Sequence, residues 1–473
     1  MTTPRVLLIY PYSDEAVTME RKGEVNEAFG TYAPLGLLYI AAFLRKHFAG
    51  NVDVRVVDCQ LGRWDEERVA AILREYRPTI VGLSTMTPML RGVLKILRAT
   101  RKHDPNIVTV LGGPHVTSFR NHTLCHPEID FAIAGYGELS TALLIEQLMG
   151  GRRFRSVPGL IYREGADVKI NPVDDAAVAI DAFPFPDRSL IDLRSYRCPV
   201  GVQNVMATVM SSRGCPYPCT FCNSPDKIHR ERSIENVIDE LRELEKLGTS
   251  EVFFFDDLFA LRAERILGFC ESLAKSGLRT RWAMKARIHT MTRELAREMR
   301  KAGCERVHFG IEADTDEMLR TLKKGVTVAQ IRDSAGWCYE AGIKTVGSFM
   351  INLPGDTPGA ILRRFEFVNS LKLDYCQYAI LVAYNHSEIF EEGVRRGDWP
   401  GDLWLRYAAD PAPDFVAPIL DNGISREELD RLLSLGMRRF YFRPSYMVQR
   451  LRRVESWAEL RNGLNGILNM MGW

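Results

Sequence analysis

The first 150 residues alternate short, continuous apolar runs with segments in which apolar residues recur at helical spacing. Such runs are typical of strands buried on both faces of a parallel sheet, and the intervening segments are typical of the helices that cover it. The predicted strands are Val6–Tyr10, Val52–Asp58, Thr79–Thr85, Ile107–Leu111 and Phe131–Ala134. This order predicts an α/β domain over residues 1–150 with a doubly wound sheet of five strands.

The alternation of predicted strands and helices is interrupted at residues 151–199 and resumes at residues 200–400. The first of these segments contains a predicted hairpin and an extended Pro-rich stretch, which indicates a linker with a hairpin. The second contains six strands, each followed by a helical pattern: Ala207–Ser211, Glu251–Phe255, Thr280–Lys285, Arg306–Ile311, Thr345–Ile351 and Tyr375–Val382. Six units are too few for a closed eight-stranded barrel, so we expect a partial (β/α)6 barrel. Residues 401–473 are predicted to form a mainly helical C-terminal segment.

Composition narrows the class of protein. A chain of 473 residues with 46% hydrophobic positions is long enough for two or three domains, each with its own core. The 62 basic and 60 acidic residues nearly balance, and neither sign forms a long run, so we expect no nucleic-acid partner. No stretch approaches the roughly 20 apolar residues of a membrane span, and the N-terminus lacks the apolar core of a signal peptide. These features favour a cytoplasmic protein without a membrane span.

Three of the ten cysteines stand close together. Cys215, Cys219 and Cys222 follow the first strand of the predicted barrel at the spacing C-x3-C-x2-C. Three thiolates on one loop can hold three irons of a [4Fe–4S] cluster and leave the fourth iron open to a ligand. A structural zinc site is the alternative, but zinc normally takes four ligands, and His229 is the only nearby candidate for the fourth. The other seven cysteines are scattered singly, which is typical of small buried apolar residues.

The cysteine motif and its position resemble those of the radical S-adenosylmethionine (SAM) superfamily. The resemblance implies that the open iron binds the amino and carboxylate groups of SAM, and that reductive cleavage of SAM yields a 5′-deoxyadenosyl radical. It also implies that Phe221, just before the third cysteine, lies near the adenine; ordinary packing is the alternative role of this ring. A one-electron reductant such as flavodoxin or ferredoxin is then expected as a partner.

Further strand ends match motifs of the same superfamily, in the same order. Asp256 and Asp257 end the second barrel strand, where relatives bind the methionine ammonium; helix capping is the alternative. Arg287 ends the third strand and resembles an arginine that contacts SAM, although a surface salt bridge is an alternative. Glu312 ends the fourth strand and is the expected polar contact to SAM. Gly347–Thr357 resembles the fifth-strand motif, in which the backbone approaches the adenine.

The strand ends of the first domain carry glycines and polar residues where a doubly wound sheet binds its ligands. They include Ser84, Gly112, Gly113, Gly135 and Glu138. With the doubly wound, flavodoxin-like fold, these motifs resemble the cobalamin-binding domain of one branch of the superfamily, which implies that these residues contact cobalamin. The alternative is that the glycines only form tight strand-to-helix turns and that the domain is a scaffold.

The predicted cobalamin site lacks a histidine below the cobalt. The loop after the first strand begins Tyr10-Pro-Tyr-Ser-Asp-Glu-Ala and contains no His, so we expect no protein nitrogen at the lower axial position. Without electron donation from below, reduction of the cofactor and loss of its methyl group become easier. His115 follows the fourth strand; axial ligation of the cobalt is an alternative role, but a hydrogen bond or plain packing is the expected one.

Together the motifs predict a cobalamin-dependent radical SAM methyltransferase that acts on an unactivated carbon of a small-molecule or natural-product substrate. The tail Arg438–Pro444 is similar to a mixed subgroup that includes anaerobic magnesium-protoporphyrin ester cyclase. Oxidative cyclisation or another rearrangement of a ring substrate is therefore an alternative, and the number of methyl groups in the product separates the two. The segment Ala383–Ser387 departs from the Pro-Gly-Thr turn of many relatives, which indicates a different substrate pocket.

A third hypothesis, a non-catalytic cobalamin or redox sensor, is disfavoured. A sensor has no need of the complete series of SAM-binding motifs along the barrel.

Overall fold

The structure is a computed structural model that describes residues 3–12, 31–62, 64–174, 179–196, 205–249 and 251–453. The chain divides into two compact units. The N-terminal strand, Ala33–Ser195 and Pro400–Val416 belong to the first, whereas Tyr196–Trp399 and the chain from Ala417 belong to the second. No helix among the described residues combines the length and the apolar composition needed to cross a membrane.

The first unit contains a doubly wound α/β sheet. Its five parallel strands are β1 (Arg5–Tyr10), β2 (Asp53–Asp58), β3 (Ile80–Ser84), β4 (Val108–Gly112) and β5 (Phe131–Ile133). Its helices are α1 (Leu35–His47), α2 (Glu66–Tyr76), α3 (Leu90–His103), the short α4 (Pro114–Ser118) and α5 (Gly137–Glu146). Helices α1 and α5 pack together, as do α2 and α3. The strand order β2-β1-β3-β4-β5 is that of flavodoxin-like sheets, which confirms the predicted fold class.

The predicted linker at residues 151–199 contributes two more strands to this sheet. β6 (Leu160–Glu164) and β7 (Asp167–Ile170) form the predicted hairpin, and β6 pairs antiparallel with β5. The first three residues of β6 are buried, whereas β7 is a largely exposed edge. Pairing with the sheet satisfies backbone groups of β6 that an isolated hairpin would leave to water. The sheet therefore has seven strands rather than the expected five, and the hairpin belongs to the first unit.

The first unit also includes a helix from far along the chain. Helix α13 (Leu403–Ala409) buries Trp404, which is 1% exposed. The Nε2–H group of His126 donates a hydrogen bond to the carbonyl oxygen of Ala408 over 2.8 Å. Among the described residues 401–453, the first part therefore joins the first unit and the rest joins the second, so the predicted C-terminal segment is divided.

The second unit is built on six parallel strands. They are β8 (Ala207–Val209), β11 (Glu251–Phe254), β12 (Arg281–Ala286), β13 (Cys304–Glu312), β14 (Lys344–Ile351) and β15 (Tyr375–Ile380). The helices that follow them are α6 (Ile234–Lys246), α7 (Ala263–Ser276), α8 (Arg293–Lys301), α9 (Asp316–Thr321), α10 (Val328–Ala341), α11 (Pro358–Ser370) and α12 (Glu388–Arg396). Neighbouring strands follow chain order, and β8 and β15 are the two edges among the described residues. This is the predicted partial (β/α)6 barrel.

Seven helices of the second unit begin at a Ser or Thr whose hydroxyl accepts a backbone N–H group. These residues are Ser233, Thr292, Thr315, Thr327, Thr357, Ser387 and Ser425. Each such cap stabilises a helix start by about 1 kcal/mol. Each cap also sets the boundary between a loop and the helix that follows it.

The tail motif Arg438–Pro444 covers the last barrel strand. It joins α14 (Arg426–Tyr441) to α15 (Pro444–Arg453), and α14 packs on α11 and β15. The Tyr441 hydroxyl accepts the N–H of Cys376 over 3.1 Å and donates to its carbonyl oxygen over 2.8 Å. These bonds satisfy backbone groups at an open sheet edge, so the motif has a structural role in this chain.

The contact between α14 and α11 predicts opposite effects of two Gly→Ala changes. A Cβ at Gly436 would lie 2.6 Å from the ring of Phe365, whereas a Cβ at Gly336 in α10 has nothing within 4 Å. Gly436→Ala should lower the free energy of unfolding by about 1–3 kcal/mol through overpacking. Gly336→Ala should raise it by up to about 1 kcal/mol through helix propensity. Urea denaturation measures both, and equal effects would contradict the packing described.

Candidate functional site

The three candidate ligand cysteines lie on a loop whose base is closed by a short antiparallel pair, β9 (Ser212–Arg213) and β10 (Arg230–Glu231). The loop turns at Gly214, which has a φ of 77°. A Cβ at this position would lie 2.2 Å from the carbonyl oxygen of Ile228. Glycine is required here for both reasons. Since Cys215 is the next residue, this turn fixes where the cysteine loop begins.

The thiols of Cys215, Cys219 and Cys222 are all half-buried. The Cys222 N–H donates to the carbonyl oxygen of Cys219 over 3.1 Å, so these two residues share one tight turn. In the described part of the chain, no three or more His, Cys, Asp or Glu side chains are already gathered as a metal site. The donor chemistry nevertheless fits an iron–sulfur cluster, because three thiols stand on one loop and can each bind one iron.

His229, the alternative fourth ligand for zinc, is engaged by other parts of the protein. Its Nδ1 lies 2.9 Å from the carbonyl oxygen of Gly214, and its Nε2 lies 3.0 Å from Oε1 of Glu231. The side chain is only 3% exposed. Because both ring nitrogens face protein oxygens, His229 is not presented to a metal, which argues against a zinc site.

Arg287 lies against the cysteine loop. One guanidinium nitrogen donates to the sulfur of Cys219 over 3.8 Å, and another donates to the carbonyl oxygen of Lys324. The guanidinium carbon lies 3.5 Å from the centroid of the Tyr217 ring. The buried Nε of Arg287 makes no hydrogen bond within the described chain. Arg287 therefore places a positive charge beside the candidate ligands instead of forming the surface salt bridge that was the alternative.

The adjacent carboxylates Asp256 and Asp257 lie just beyond the end of β11 at Phe254 and have different surroundings. Asp256 is 1% exposed, and its Oδ1 accepts the backbone N–H groups of Ser211 (2.6 Å) and Ser212 (2.9 Å), while its Oδ2 accepts the Ser211 hydroxyl (2.7 Å). Burial raises the pKa of Asp256 to about 6, and these hydrogen bonds and the charge of Arg265 oppose the rise. Asp257 is exposed. Asp256 thus anchors the start of the cysteine loop, and Asp257 is open to a ligand.

Lys324 links two of the residues predicted to contact SAM. Its Nζ lies 3.3 Å from Oε1 of Glu312 and 5.6 Å from the centroid of the Phe221 ring. The two charged side chains are only 9% and 12% exposed. Glu312 adopts a φ of 73°, and the register of β13 against β14 shifts between Gly310 and Glu312. A positive φ is strained for glutamate, and such strain is concentrated at functional sites.

The predicted fifth-strand motif is held by two buried networks. Asn352 is fully buried with a φ of 62°, and its Oδ1 accepts Nδ2–H of Asn422 over 2.9 Å. Arg364 donates to both carboxylate oxygens of Asp356, over 2.8 and 2.9 Å, and to Asp314 over 2.8 Å. These bonds give the turn after β14 a fixed backbone, which a close approach to a ligand requires.

In the first unit, the loops after β3 and β4 contact each other. The Thr85 N–H donates to the carbonyl oxygen of Gly112 over 3.0 Å. Gly113 has a φ of 97°, and a Cβ there would lie 2.8 Å from Oγ of Ser84. The need for glycine at this position comes from its positive φ and from the contact between the loops. Ser84 is half-buried, and its hydroxyl makes no hydrogen bond within the described chain.

The loop after β5 carries the other residues predicted to bind cobalamin. Gly135 has a φ of 80°, and its N–H donates to Oγ1 of Thr117 over 3.1 Å. Glu138 is 4% exposed in the first turn of α5, where the helix dipole favours a negative charge. At the same edge of the sheet, the side chain of Met86 is 49% exposed.

His115 is a packed, hydrogen-bonded residue, as expected from the sequence. It is 1% exposed, its ring lies 4.9 Å from that of Phe119, and its Nδ1 lies 3.2 Å from Oγ1 of Thr87. Burial, with a smaller effect of His126, lowers the pKa of His115 to about 3. The ring is therefore neutral and enclosed by its own unit.

Comparison with known proteins places both units in described families. Residues 209–368 match the radical SAM superfamily, and residues 22–145 match the B12 binding domain. An uncharacterised methyltransferase of Pyrococcus horikoshii is 28% identical over 99% of both chains. The anaerobic magnesium-protoporphyrin IX monomethyl ester cyclase of Cereibacter sphaeroides is 26% identical over 89% of this chain and 68% of its own length.

A solved structure shares the fold. The radical S-adenosylmethionine methyltransferase TsrM from Kitasatospora setae, with cobalamin and a [4Fe–4S] cluster bound, has a TM-score of 0.66. Its sequence is 19% identical, and the match covers 84% of this chain and 75% of that one. The fold and the cysteine loop thus define an α/β barrel enzyme with a thiol-rich loop at its first strand. The chain combines a radical SAM domain at residues 209–368 with a B12-binding domain at residues 22–145.

The environment of Asp256 predicts how stability depends on pH. Asp256→Asn should keep the anchor, because the amide can accept both backbone N–H groups and bond the Ser211 hydroxyl. The folded-state pKa of about 6 lies above that of an unfolded aspartate. The free energy of unfolding of wild type, relative to that of Asp256→Asn, is therefore highest below about pH 4 and falls as the pH rises through 6. We expect the difference in free energy of unfolding to change by roughly 1–3 kcal/mol between about pH 4 and 7.

Urea denaturation at both pH values measures this change. Asp256→Ala, which removes the acceptors, should be less stable than Asp256→Asn by about 1–3 kcal/mol at both pH values. The exposed Asp257→Asn is the matched control and should behave like wild type at both values. A difference between wild type and Asp256→Asn that stays constant with pH would contradict the buried anchor.

Proposed function

We propose that this chain is a cobalamin-dependent radical SAM methyltransferase that acts on an unactivated carbon of a small-molecule substrate. The observation that carries the proposal is the cluster of residues around the cysteine loop. Arg287 contacts Cys219 and the backbone of Lys324, and Lys324 in turn lies beside Phe221 and Glu312. A non-catalytic sensor would not need this set of contacts at the ends of successive barrel strands.

Each predicted residue has a proposed task in the second unit. Cys215, Cys219 and Cys222 hold the [4Fe–4S] cluster, and the exposed Asp257 accepts the ammonium group of SAM. When bound, the cluster supplies the electron that cleaves SAM, and cobalamin carries the methyl group. Asp256 does not contact SAM in this proposal; it positions the start of the cysteine loop.

The cationic and aromatic residues position the rest of SAM in the same proposal. Arg287 and Lys324 attract its carboxylate, while the ring of Phe221 packs near the adenine and Glu312 supplies a polar contact. The Nε of Arg287, buried without a hydrogen bond in the described chain, is a donor that a ligand oxygen would satisfy.

For the first unit, we assign cobalamin to the edge formed by the loops after β3, β4 and β5. The Ser84 hydroxyl has a free bonding capacity that fits the nucleotide tail. Gly112, Gly135 and Glu138 lie on the neighbouring loops, and a Cβ at Gly112 has no atom closer than 3.8 Å. Gly113 contributes indirectly, by allowing the loops to contact each other.

The partners follow from the chemistry. Reductive cleavage of SAM requires a one-electron donor, and a flavodoxin or ferredoxin in the reducing cytoplasm would supply it. The substrate is a small molecule. Oxidative cyclisation or another rearrangement of a ring substrate is the second candidate function, and it is supported by the similarity to the ester cyclase of Cereibacter sphaeroides over 89% of this chain.

The function is tested by anaerobic reaction of the reconstituted protein with methyl-deuterated SAM and an extract of small molecules. We expect 5′-deoxyadenosine together with a product that has gained a deuterated methyl group. Formation of 5′-deoxyadenosine with an oxidised, unlabelled product would favour the cyclase. Absence of both would contradict a radical SAM enzyme of either kind.

The cluster is tested by changing Cys215, Cys219 and Cys222 together to Ala. Iron and sulfide should fall to background and 5′-deoxyadenosine should no longer form, because thiolates are the proposed protein ligands of the cluster. Cys125→Ala, which removes an exposed cysteine of the first unit, is the control and should retain both. A full complement of iron and sulfide in the triple variant would refute the assignment.

Cobalamin is expected to bind without a protein nitrogen below the cobalt, since His115 is buried and bonded to Thr87. Electron paramagnetic resonance of bound cob(II)alamin should show no superhyperfine splitting from an axial protein nitrogen. His115→Gln should leave that spectrum unchanged. Splitting from such a nitrogen, or failure of the protein to bind cobalamin, would show that the first unit is assigned wrongly.

A further inference from the structure

Lys285 and His308 are neighbours on adjacent strands inside the barrel. They are directly paired in the register of β12 and β13. Trp282 of β12 packs outward against Phe269 of α7, with ring centroids 5.2 Å apart, so Lys285, three residues on, points to the opposite face. The His308 ring lies 4.9 Å from that of Phe253, which shares an interior cluster with Met206 and Ala283. Both side chains therefore face the barrel interior.

Lys285 is a cation without a partner carboxylate. Its Nζ lies 4.2 Å from the centroid of the Phe255 ring, and no described Asp or Glu forms an ion pair with it within 4.0 Å. Burial lowers the pKa of Lys285, while the more distant charges of Asp257 and Asp256 favour its protonated form. The aromatic ring stabilises the ammonium but satisfies none of its three donors.

His308 presents a second free donor next to this ammonium. The Arg306 Nε–H donates to Nε2 of His308 over 2.9 Å, so the ring proton must lie on Nδ1. Burial, and then the charges of Arg306 and Lys285, lower the pKa of His308, which keeps the ring neutral. No described residue accepts a hydrogen bond from Nδ1.

We propose that Lys285 and His308 form an oxyanion site for the substrate, so that the substrate of this enzyme carries a carboxylate, phosphate or phosphonate group. Two donors on directly paired residues, one charged and one neutral, suit an acceptor with two or more oxygens and a negative charge. A neutral ligand would leave the ammonium unpaired in a partly buried position, which is costly. This inference rests on the proposed function, since it assigns a substrate group to the same barrel.

The position of the pair also separates it from the proposed SAM contacts. Arg287, which contacts Cys219, lies two residues beyond Lys285 on the same face, about 6–7 Å further toward the carboxyl end of the strand. Lys285 and His308 therefore lie deeper in the barrel than the cysteine loop, and an anion bound there leaves the proposed SAM contacts available.

The test is isothermal titration of the cluster-loaded protein, with SAM present in excess, against three probes: sodium acetate, inorganic phosphate and neutral acetamide. Wild type should bind acetate, phosphate or both, and should bind acetamide much more weakly. Lys285→Met should weaken anion binding by about 10- to 100-fold, because a charge-assisted hydrogen bond is lost, whereas Lys285→Arg should retain most of it. His308→Leu should weaken it by about 5- to 10-fold.

Lys275→Met, which changes an exposed lysine of α7, is the matched control and should bind the probes like wild type. Preference for phosphate over acetate would assign a phosphate or phosphonate group, and the reverse a carboxylate. Equal anion binding by wild type and Lys285→Met, or no anion binding by wild type, would overturn the inference.

Iron content and 5′-deoxyadenosine formation are measured on the same samples. If these fail while Lys285-dependent anion binding persists, the proposed function is wrong and the anion site stands. If they hold while anion binding does not depend on Lys285, the anion site alone is wrong.

Discussion

The buried carboxylate of Asp256 is the contact on which the geometry of the candidate site depends. It lies just after β11 and accepts three hydrogen bonds from Ser211 and Ser212, at the point where the chain leaves the neighbouring strand for the cysteine loop. Three residues later the chain turns at Gly214, where no side chain fits. The start of the cysteine loop is thereby fixed to the sheet before any cluster binds, and only the far part of the loop has to adjust to a ligand.

A recurring arrangement surrounds this loop: three cations each lie near an aromatic ring. Arg287 lies over Tyr217, Lys285 over Phe255 and Lys324 near Phe221, at 3.5, 4.2 and 5.6 Å from the ring centroids. An aromatic face stabilises a cation without neutralising it. Each ring therefore stabilises its cation in a partly buried environment, where electrostatic interactions are stronger than in water. Only Lys324 has a close carboxylate, that of Glu312.

Much of this organisation could be predicted from the sequence, because it depends on local patterns. The apolar runs predicted all eleven described parallel strands within about two residues, as for Glu251–Phe254 and Tyr375–Ile380. The spacing of three cysteines identified the loop. Pairing between distant segments could not be predicted in this way: the hairpin's addition to the first sheet depends on contacts between β5 and β6 that leave no periodic signal.

The same limit explains which site residues were missed. Lys324 could not be identified, because its contact with Glu312 depends on the shifted register of β13 and a strained φ. In the sequence, Lys285 and His308 are ordinary strand residues, and only the register of β12 against β13 brings them together. The different roles of Asp256 and Asp257 do not follow from strand alternation, because β11 ends at Phe254, and the sequence does not indicate which carboxylate faces the serines.

The path of the chain has a consequence for how the protein is made. The first unit is completed by α13, whose Ala408 accepts a hydrogen bond from His126, 282 positions earlier in the sequence. During synthesis the N-terminal sheet emerges first and can begin to fold, but its last packing element emerges only after every strand of the barrel. Long-range closure of this kind is slow. The apolar surface that later receives Trp404 must therefore stay exposed on the ribosome while the barrel is translated, which makes the nascent first unit a natural client for chaperones.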